Sequence, residues 1–150
     1  MHDKLALKGG DLICKTVFKI FKGSINPQKQ VWKGIESLAP KLNKENVFID
    51  WSQPIKDILA KIKGLSPYPG AKSKWIDGPT TYFIKIFEAE IIEEKHNFDS
   101  NKVIIRDKKI LITHPSGYVN SIILQFPNKK RMKATDILNG NTFSDKVEIL

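Results

Sequence analysis

A series of short β-type segments in the second half of the chain constrains the fold more than any other feature. Segments rich in β-branched and aromatic residues occupy 72–76, 80–92, 102–106, 109–114 and 118–126. Turn residues separate several of them, at Asp77-Gly78, Asp107-Lys108 and Pro115-Ser116-Gly117. Connections as short as these join antiparallel neighbours. The pattern therefore predicts one antiparallel sheet of about five strands that forms a small barrel.

An amphipathic helix is predicted over residues 4–22. Its buried stripe follows spacings of three, four and seven and consists of Leu5, Leu12, Ile13, Thr16, Val17 and Ile20. Lysines occupy the opposite side, and Gly23 is suited to end the helix. Because the apolar stripe needs a covering surface, we expect that surface to belong to a partner of this helix.

Two further helices flank the predicted sheet. One follows Trp51, with Ser52 as its N-cap and Gly64 as its end. The other is short, with Thr135 as its N-cap and Gly140 as its end. The predicted fold class is therefore mainly β with flanking helices, a small barrel of about five strands preceded by a helix and a linker.

The linker is the stretch between the first two helices, which has no sustained hydrophobic period and contains Pro27 and Pro40. We therefore predict a helix at 1–23, a basic linker at 24–46 and a barrel domain at 47–150. Residues 1–46 contain nine lysines and four acidic residues, a net charge of +5. The first third of the chain is therefore the more basic part per residue.

The charge balance indicates a polyanionic partner. Lysine and arginine number 25 against 16 acidic residues, which gives a net charge of +9. Arg106 and Arg131 are the only arginines, and lysine is a compact point charge that suits phosphate better than bidentate reading of base edges. The composition therefore favours binding to a nucleic-acid backbone. A lysine-rich composition that serves solubility alone is the alternative.

The chain is predicted to be cytoplasmic. No apolar run approaches the roughly 20 residues needed to span a bilayer, and the first residues lack the apolar core of a signal peptide. Cys14 is the only cysteine, which excludes an intramolecular disulfide and a multi-cysteine zinc site.

Catalytic patterns are sparse in this sequence. His2, His96 and His114 have no metal-ligand spacing. Glu88 and Glu90 alternate along a predicted strand, as on a solvated sheet face. The sequence contains no Gly-rich phosphate loop and no nucleophile elbow. We therefore predict no catalytic residue, no metal site and no cofactor site.

A run of cations between the last predicted strand and the last helix carries the strongest binding signal. Lys129, Lys130, Arg131 and Lys133 fall within five consecutive positions. A solvated charged turn is one interpretation of such a run. On a small five-stranded barrel, an architecture that often binds oligonucleotides, the run instead indicates phosphate contacts.

Several blocks in order resemble methionyl-tRNA formyltransferases. The blocks at 39–45 (APKLNKE), 49–51 (IDW) and 62–71 (IKGLSPYPGA) are similar to the linker of that family and the start of its C-terminal domain. The blocks at 124–132 (LQFPNKKRM) and 136–140 (DILNG) resemble its closing motif. The start, from His2 to Leu5, is similar to the last helix of the family's catalytic domain, so the resemblance covers essentially the whole chain.

The resemblance implies the C-terminal half of a two-domain enzyme. In the family, an N-terminal domain binds 10-formyltetrahydrofolate and holds the catalytic Asn, His and Asp, and an OB-like C-terminal barrel grips initiator tRNA. None of the three histidines here has an asparagine two positions before it. The resemblance therefore implies that this chain lacks the catalytic domain and is inactive alone.

The resemblance also implies the RNA-binding residues and the partners. The positions that it assigns to phosphate contact are Lys41, Lys44, Lys63, Lys129, Lys130, Arg131 and Lys133. The implied partners are initiator Met-tRNA and, through the helix at 4–22, a catalytic formyltransferase domain, with neither a membrane nor DNA expected. Two alternatives are the C-terminal domain of a related folate-dependent formyltransferase or hydrolase, and a non-catalytic protein-interaction module.

Overall fold

The computed structural model describes residues 2–35, 38–140, 143 and 147–150. The chain divides into two compact units, Met1–Pro40 and Lys41–Leu150. In the first unit, helix α1 (His2–Phe21) confirms the predicted first helix. Gly23, at φ 63°, donates its N–H to the Ile20 carbonyl at 2.9 Å and closes the helix. The apolar side chains of α1 are exposed, including Leu12, which is 65% exposed.

The second unit is built on one antiparallel sheet. Its strands are β1 (Ala71–Asp77), β2 (Thr80–Ile92), β3 (Val103–Arg106), β4 (Lys109–His114), β5 (Gly117–Gln125), β6 (Met132–Lys133) and β7 (Glu148–Ile149). The strand order is β3-β4-β5-β2-β1-β7, and β6 pairs with β5. Helices α2 (Ile55–Leu65) and α3 (Ala134–Gly140) flank the sheet.

The predicted fold class is confirmed. The protein is mainly β, and its sheet forms a curled half-barrel with flanking helices, as in a small OB-like barrel. A bulge between β2 and β5, where the register shifts between Ile86 and Ala89, increases the local twist that curls the sheet. The described part of the chain has seven strands where about five were predicted, because β6 and β7 are two residues each, too short to show a period.

The core lies between the sheet and α2. Ile55, Ile58, Ile62 and Leu65 are buried along one face of α2, at spacings of three and four. Trp51 is also buried and donates its indole N–H to Ser73 Oγ at 3.1 Å. Trp75 donates to the same oxygen at 2.9 Å. Ser73 therefore joins the segment before α2 to strand β1.

Both predicted N-caps are wrong, and α2 continues past the predicted end at Gly64 to Leu65. Ser52 does not cap α2, because its hydroxyl donates to Asp50 Oδ1 at 2.6 Å and Pro54 occupies the N-cap position. That hydrogen bond and a second from Gln53 hold the pKa of Asp50 below its usual value. Thr135 lies inside α3, one residue after its start.

Candidate nucleic-acid interface

The turn between β5 and β6 presents two lysines at its tip. Asn128 adopts a positive φ of 59°, which asparagine tolerates better than most residues. The Lys129 N–H donates to the Phe126 carbonyl at 3.1 Å, and the Gln125 amide donates to the Lys129 carbonyl at 2.9 Å. Lys129 and Lys130 are exposed on this turn, whose backbone conformation these hydrogen bonds fix.

Arg131 is held in a defined orientation at the base of this turn. Its guanidinium carbon lies 3.8 Å from the centroid of the Phe87 ring, a cation–π contact. Its Nη2 donates to the Pro67 carbonyl at 2.6 Å. No carboxylate in the described part of the chain forms an ion pair with Arg131. The positive charge of Arg131 is therefore oriented by neutral groups and is not cancelled by an acid.

Glycine at position 70 allows this arrangement. Gly70 has φ 86°, and a Cβ there would lie 2.7 Å from a carbon of the Phe87 ring. Because the backbone has no side chain at this point, Phe87 packs against it and forms the surface on which Arg131 rests. The position of Arg131 at the β5–β6 turn thus depends on the neighbouring turn, 66–70.

A pocket of about 400 Å³ lies beside Arg131. Arg131 and Lys133 line it together with Ser66, but so do Glu88 and Asp136. Because acids and cations both line the pocket, it does not favour a polyanion as a whole. The exposed tip of the turn, with Lys129 and Lys130, is the part of this region where cations are adjacent in the chain.

Lys63 lies at the same end of the unit. It is exposed in the last turn of α2, where a cation interacts favourably with the helix dipole. The Lys63 carbonyl accepts the Ser66 N–H at 3.4 Å. The carbonyl of Pro67, which follows Ser66, accepts the hydrogen bond from Arg131. The structure therefore brings Lys63 to the region of the β5–β6 turn.

Lys41 and Lys44 lie in the segment that leads to the edge of β1. The Asn43 side chain accepts the N–H groups of Glu45 at 2.9 Å and Asn46 at 2.7 Å, which fixes a turn around Lys44. The chain then runs beside β1. Phe48, four residues after Lys44, forms a parallel bridge with Lys72 of β1.

A basic face on β1 and β2 was not predicted from the sequence. Lys72 lies directly opposite Lys85 across the two strands, and Lys74 lies on the same side of β1. Like charges at opposed positions destabilise a strand pair, and none of these three lysines has an acidic partner among the described residues. The sequence signal was the spacing of two between Lys72 and Lys74, which places both on one face once the strand is known.

This basic face connects the two groups of predicted lysines. Lys72 exchanges backbone hydrogen bonds with the segment that follows Lys44: its N–H donates to Val47, and its carbonyl accepts the Ile49 N–H. On β2, the Lys85 side chain lies beside Gly70. Gly70 also contacts the Phe87 ring, over which Arg131 lies. We use the name basic face for Lys72, Lys74, Lys85 and Arg131.

Other titratable side chains have structural partners. Arg106 donates two hydrogen bonds to Glu94, at 2.8 and 2.7 Å, which hold the pKa of Glu94 below its usual value. The His96 ring contacts the carbonyls of His114 and Gly117 at 2.9 and 3.0 Å. Across the residues that the structure describes, no group of three or more His, Cys, Asp or Glu is arranged to hold a metal ion.

The helices of the described residues are too short or too polar to cross a membrane.

Comparisons with known proteins agree with the architecture. The family model described as "Formyl transferase, C-terminal domain" matches residues 41–142. HypX from Aquifex aeolicus has a similar fold, with a TM-score of 0.58 and 23% identity over 85% of this chain and 22% of that protein.

Two relatives extend the similarity over nearly the whole chain. Methionyl-tRNA formyltransferase from Flavobacterium johnsoniae is 38% identical over 149 residues, which cover 99% of this chain and 47% of the relative. The enzyme from Bacteroides thetaiotaomicron is 38% identical over 150 residues, with 97% and 47% covered. The chain thus spans about half the length of these relatives, and it belongs to the formyl transferase C-terminal domain family.

Proposed function

We propose that this chain is the tRNA-binding portion of a methionyl-tRNA formyltransferase, which positions initiator Met-tRNA for formyl transfer from 10-formyltetrahydrofolate in translation initiation. The observation that carries the proposal is the group of exposed cations at the β5–β6 turn, Lys129, Lys130 and Arg131, the last of which belongs to the basic face. The family to which the chain belongs and the net charge of +9 also support tRNA as the partner.

The proposed role of the cations is to neutralise phosphates and fix orientation. Lysine side chains on an exposed turn attract phosphates without reading bases. Arg131, held by Phe87 and Pro67, supplies a cation in a set position. If about four of the predicted positions contact phosphate, log affinity falls by about 3 to 4 for each log unit of salt. Such contacts provide affinity and position the tRNA, but they do not discriminate between one tRNA and another.

The chemistry of formyl transfer belongs, in this proposal, to a catalytic domain. The relatives are about twice as long as this chain. We propose that residues 1–23 and the linker 24–46 connect the barrel domain to that catalytic domain, that the exposed apolar stripe of α1 packs on it, and that the assembly acts in the cytoplasm. The folate cofactor then binds in the catalytic domain.

A gel-shift titration with initiator tRNA tests the proposal. The first variant carries Lys129→Ala, Lys130→Ala and Arg131→Ala. The matched control carries Lys4→Ala, Lys8→Ala and Lys15→Ala, which removes three positive charges from exposed positions of α1. We expect the first variant to bind tRNA much more weakly than the control. Equal binding by both variants would contradict the proposed site.

The exposed α1 favours one alternative, a protein-interaction module. Its apolar residues, such as Phe18 at 60% exposure, offer a docking surface. A purified formyltransferase catalytic domain that binds this chain, together with no tRNA binding at low salt, would support that alternative. A related folate-dependent enzyme with a small-molecule substrate also predicts no tRNA binding.

A further inference from the structure

We infer that Phe83 is a stacking site for unpaired nucleotides of an RNA strand whose phosphates lie along the basic face. This inference rests on the proposed function, because it assumes that the domain binds RNA. It adds a ligand chemistry that phosphate contacts do not supply, the flat face of a nucleobase.

The Phe83 side chain lies among the lysines of the basic face. It is 54% exposed, and its partner directly across the β1–β2 ladder is Lys74. Lys85 is two residues further along β2 and therefore on the same side of the sheet. Lys72 lies opposite Lys85. An exposed aromatic ring is thus surrounded by three cations on one face of a two-stranded ladder.

A second aromatic side chain supports the ring. Phe48 lies in the segment beside β1, and the centroids of the Phe48 and Phe83 rings are 6.1 Å apart with an interplanar angle of 77°. Such an edge contact is a favoured aromatic geometry. The Lys72 Nζ lies 5.6 Å from the Phe48 centroid. Phe83 is therefore positioned on one side while half of its surface stays available to a ligand.

The lysines and the exposed Phe83 ring together favour unpaired nucleotides over a duplex as the ligand. One exposed phenylalanine is ordinary on a protein surface, but three lysines with no acidic partner among the described residues favour an anion beside it. A duplex offers phosphates without exposed base faces. Unpaired nucleotides offer a phosphate and a base face together, which is the combination bound by stacking platforms on single strands.

Phe98 provides a matched control within the same domain. It is 57% exposed, nearly the same as Phe83, and its ring contacts His96 at 5.8 Å. The segment 93–99 contains three acidic residues and one lysine, so it attracts phosphate less than the basic face does. A leucine substitution at Phe98 thus removes an equally exposed ring from a surface where we expect no RNA.

The test measures the affinity of the full chain for two fluorescent probes, a short single-stranded oligouridine and an RNA duplex of the same length. The variants are Phe83→Leu, Phe83→Trp and Phe98→Leu, each checked for folding by a thermal melt. We expect Phe83→Leu to lose about 5- to 150-fold in affinity for oligouridine, the range expected for one stacked base. Duplex affinity and the salt dependence should stay unchanged, since no phosphate contact is lost.

The other two variants test whether an aromatic ring at position 83 is what the RNA requires. Phe83→Trp should retain oligouridine binding, and Phe98→Leu should match the original protein. Wild-type oligouridine affinity in Phe83→Leu, or an equal loss in Phe98→Leu, would overturn the inference. An equal loss for the duplex would also overturn it, because the face would then hold helical RNA.

Failure of the underlying function gives a different result. If neither probe binds, or if binding ignores Lys129, Lys130 and Arg131, the proposed function and this inference both fail. If binding depends on those cations and Phe83→Leu has no effect, only the stacking site fails.

Discussion

Replacing Gly70 with alanine should destabilise the domain for two reasons, backbone strain and a steric clash. Gly70 has φ 86°, and an L-residue in the left-handed region costs about 1–2 kcal/mol. The new Cβ would also lie 2.7 and 2.9 Å from two carbons of the Phe87 ring, which is 6% exposed and has little room to move. Overpacking of this kind costs about 1–3 kcal/mol, so Gly70→Ala should lose about 2–5 kcal/mol in total.

Gly78 supplies the control for the backbone part alone. It also has a positive φ, 57°, but nothing lies within 4 Å of its Cβ position. Gly78→Ala should therefore lose only about 1–2 kcal/mol. Urea unfolding can be followed by tryptophan fluorescence, because Trp51 and Trp75 are 4% and 0% exposed. Equal losses in the two variants would refute the reasoning that Phe87 packs tightly against Gly70.

Three further outcomes follow from the described contacts. Because Arg106 lowers the pKa of Glu94, the stability that this carboxylate contributes is present above its ordinary pKa of 4.5 and is lost as the pH falls through the lowered folded value. Urea midpoints from neutral pH downwards should thus show a smaller acid loss in Glu94→Gln, and an unchanged profile would exclude this role. Amides of residues 10–20 should exchange with solvent faster than those of β2 in a dilute monomer, since the stripe of α1 is exposed and isolated helices are marginal; strong protection there would show that the stripe is covered. The buried Ser121 hydroxyl has no hydrogen-bond partner among the described residues, so Ser121→Ala should raise the free energy of unfolding by about 1 kcal/mol, and a decrease would indicate an unseen partner.

The long elements of the fold were predictable because local signals agreed. The β2 strand was predicted with its observed bounds, 80–92, since β-branched and aromatic residues follow a clear Asp77-Gly78 turn. The N-cap of α2 was not predictable, because the Ser52 hydroxyl binds Asp50 and Pro54 occupies the N-cap position. A preference for capping is a local rule, and neighbouring side chains decided the outcome.

The candidate site was predictable only where its residues are consecutive. The run from Lys129 to Lys133 is visible as a run in the sequence. The pairing of Lys72 with Lys85 depends on the register of the β1–β2 hairpin, and the contact of Arg131 with Phe87 joins residues 44 positions apart in the chain. Such contacts follow from strand pairing and packing, which a pattern of charges along one chain does not contain.

The salt dependence of initiator-tRNA affinity tests the central claim most directly. The protein should show a slope of about 3 to 4 in log affinity against log salt, and changing Lys129, Lys130 and Arg131 together to alanine should lower that slope by about 2 to 3. The control variant with Lys4, Lys8 and Lys15 of α1 changed to alanine should keep the original slope. The same slope in all three proteins would contradict the claim that the cations of the β5–β6 turn neutralise RNA phosphates.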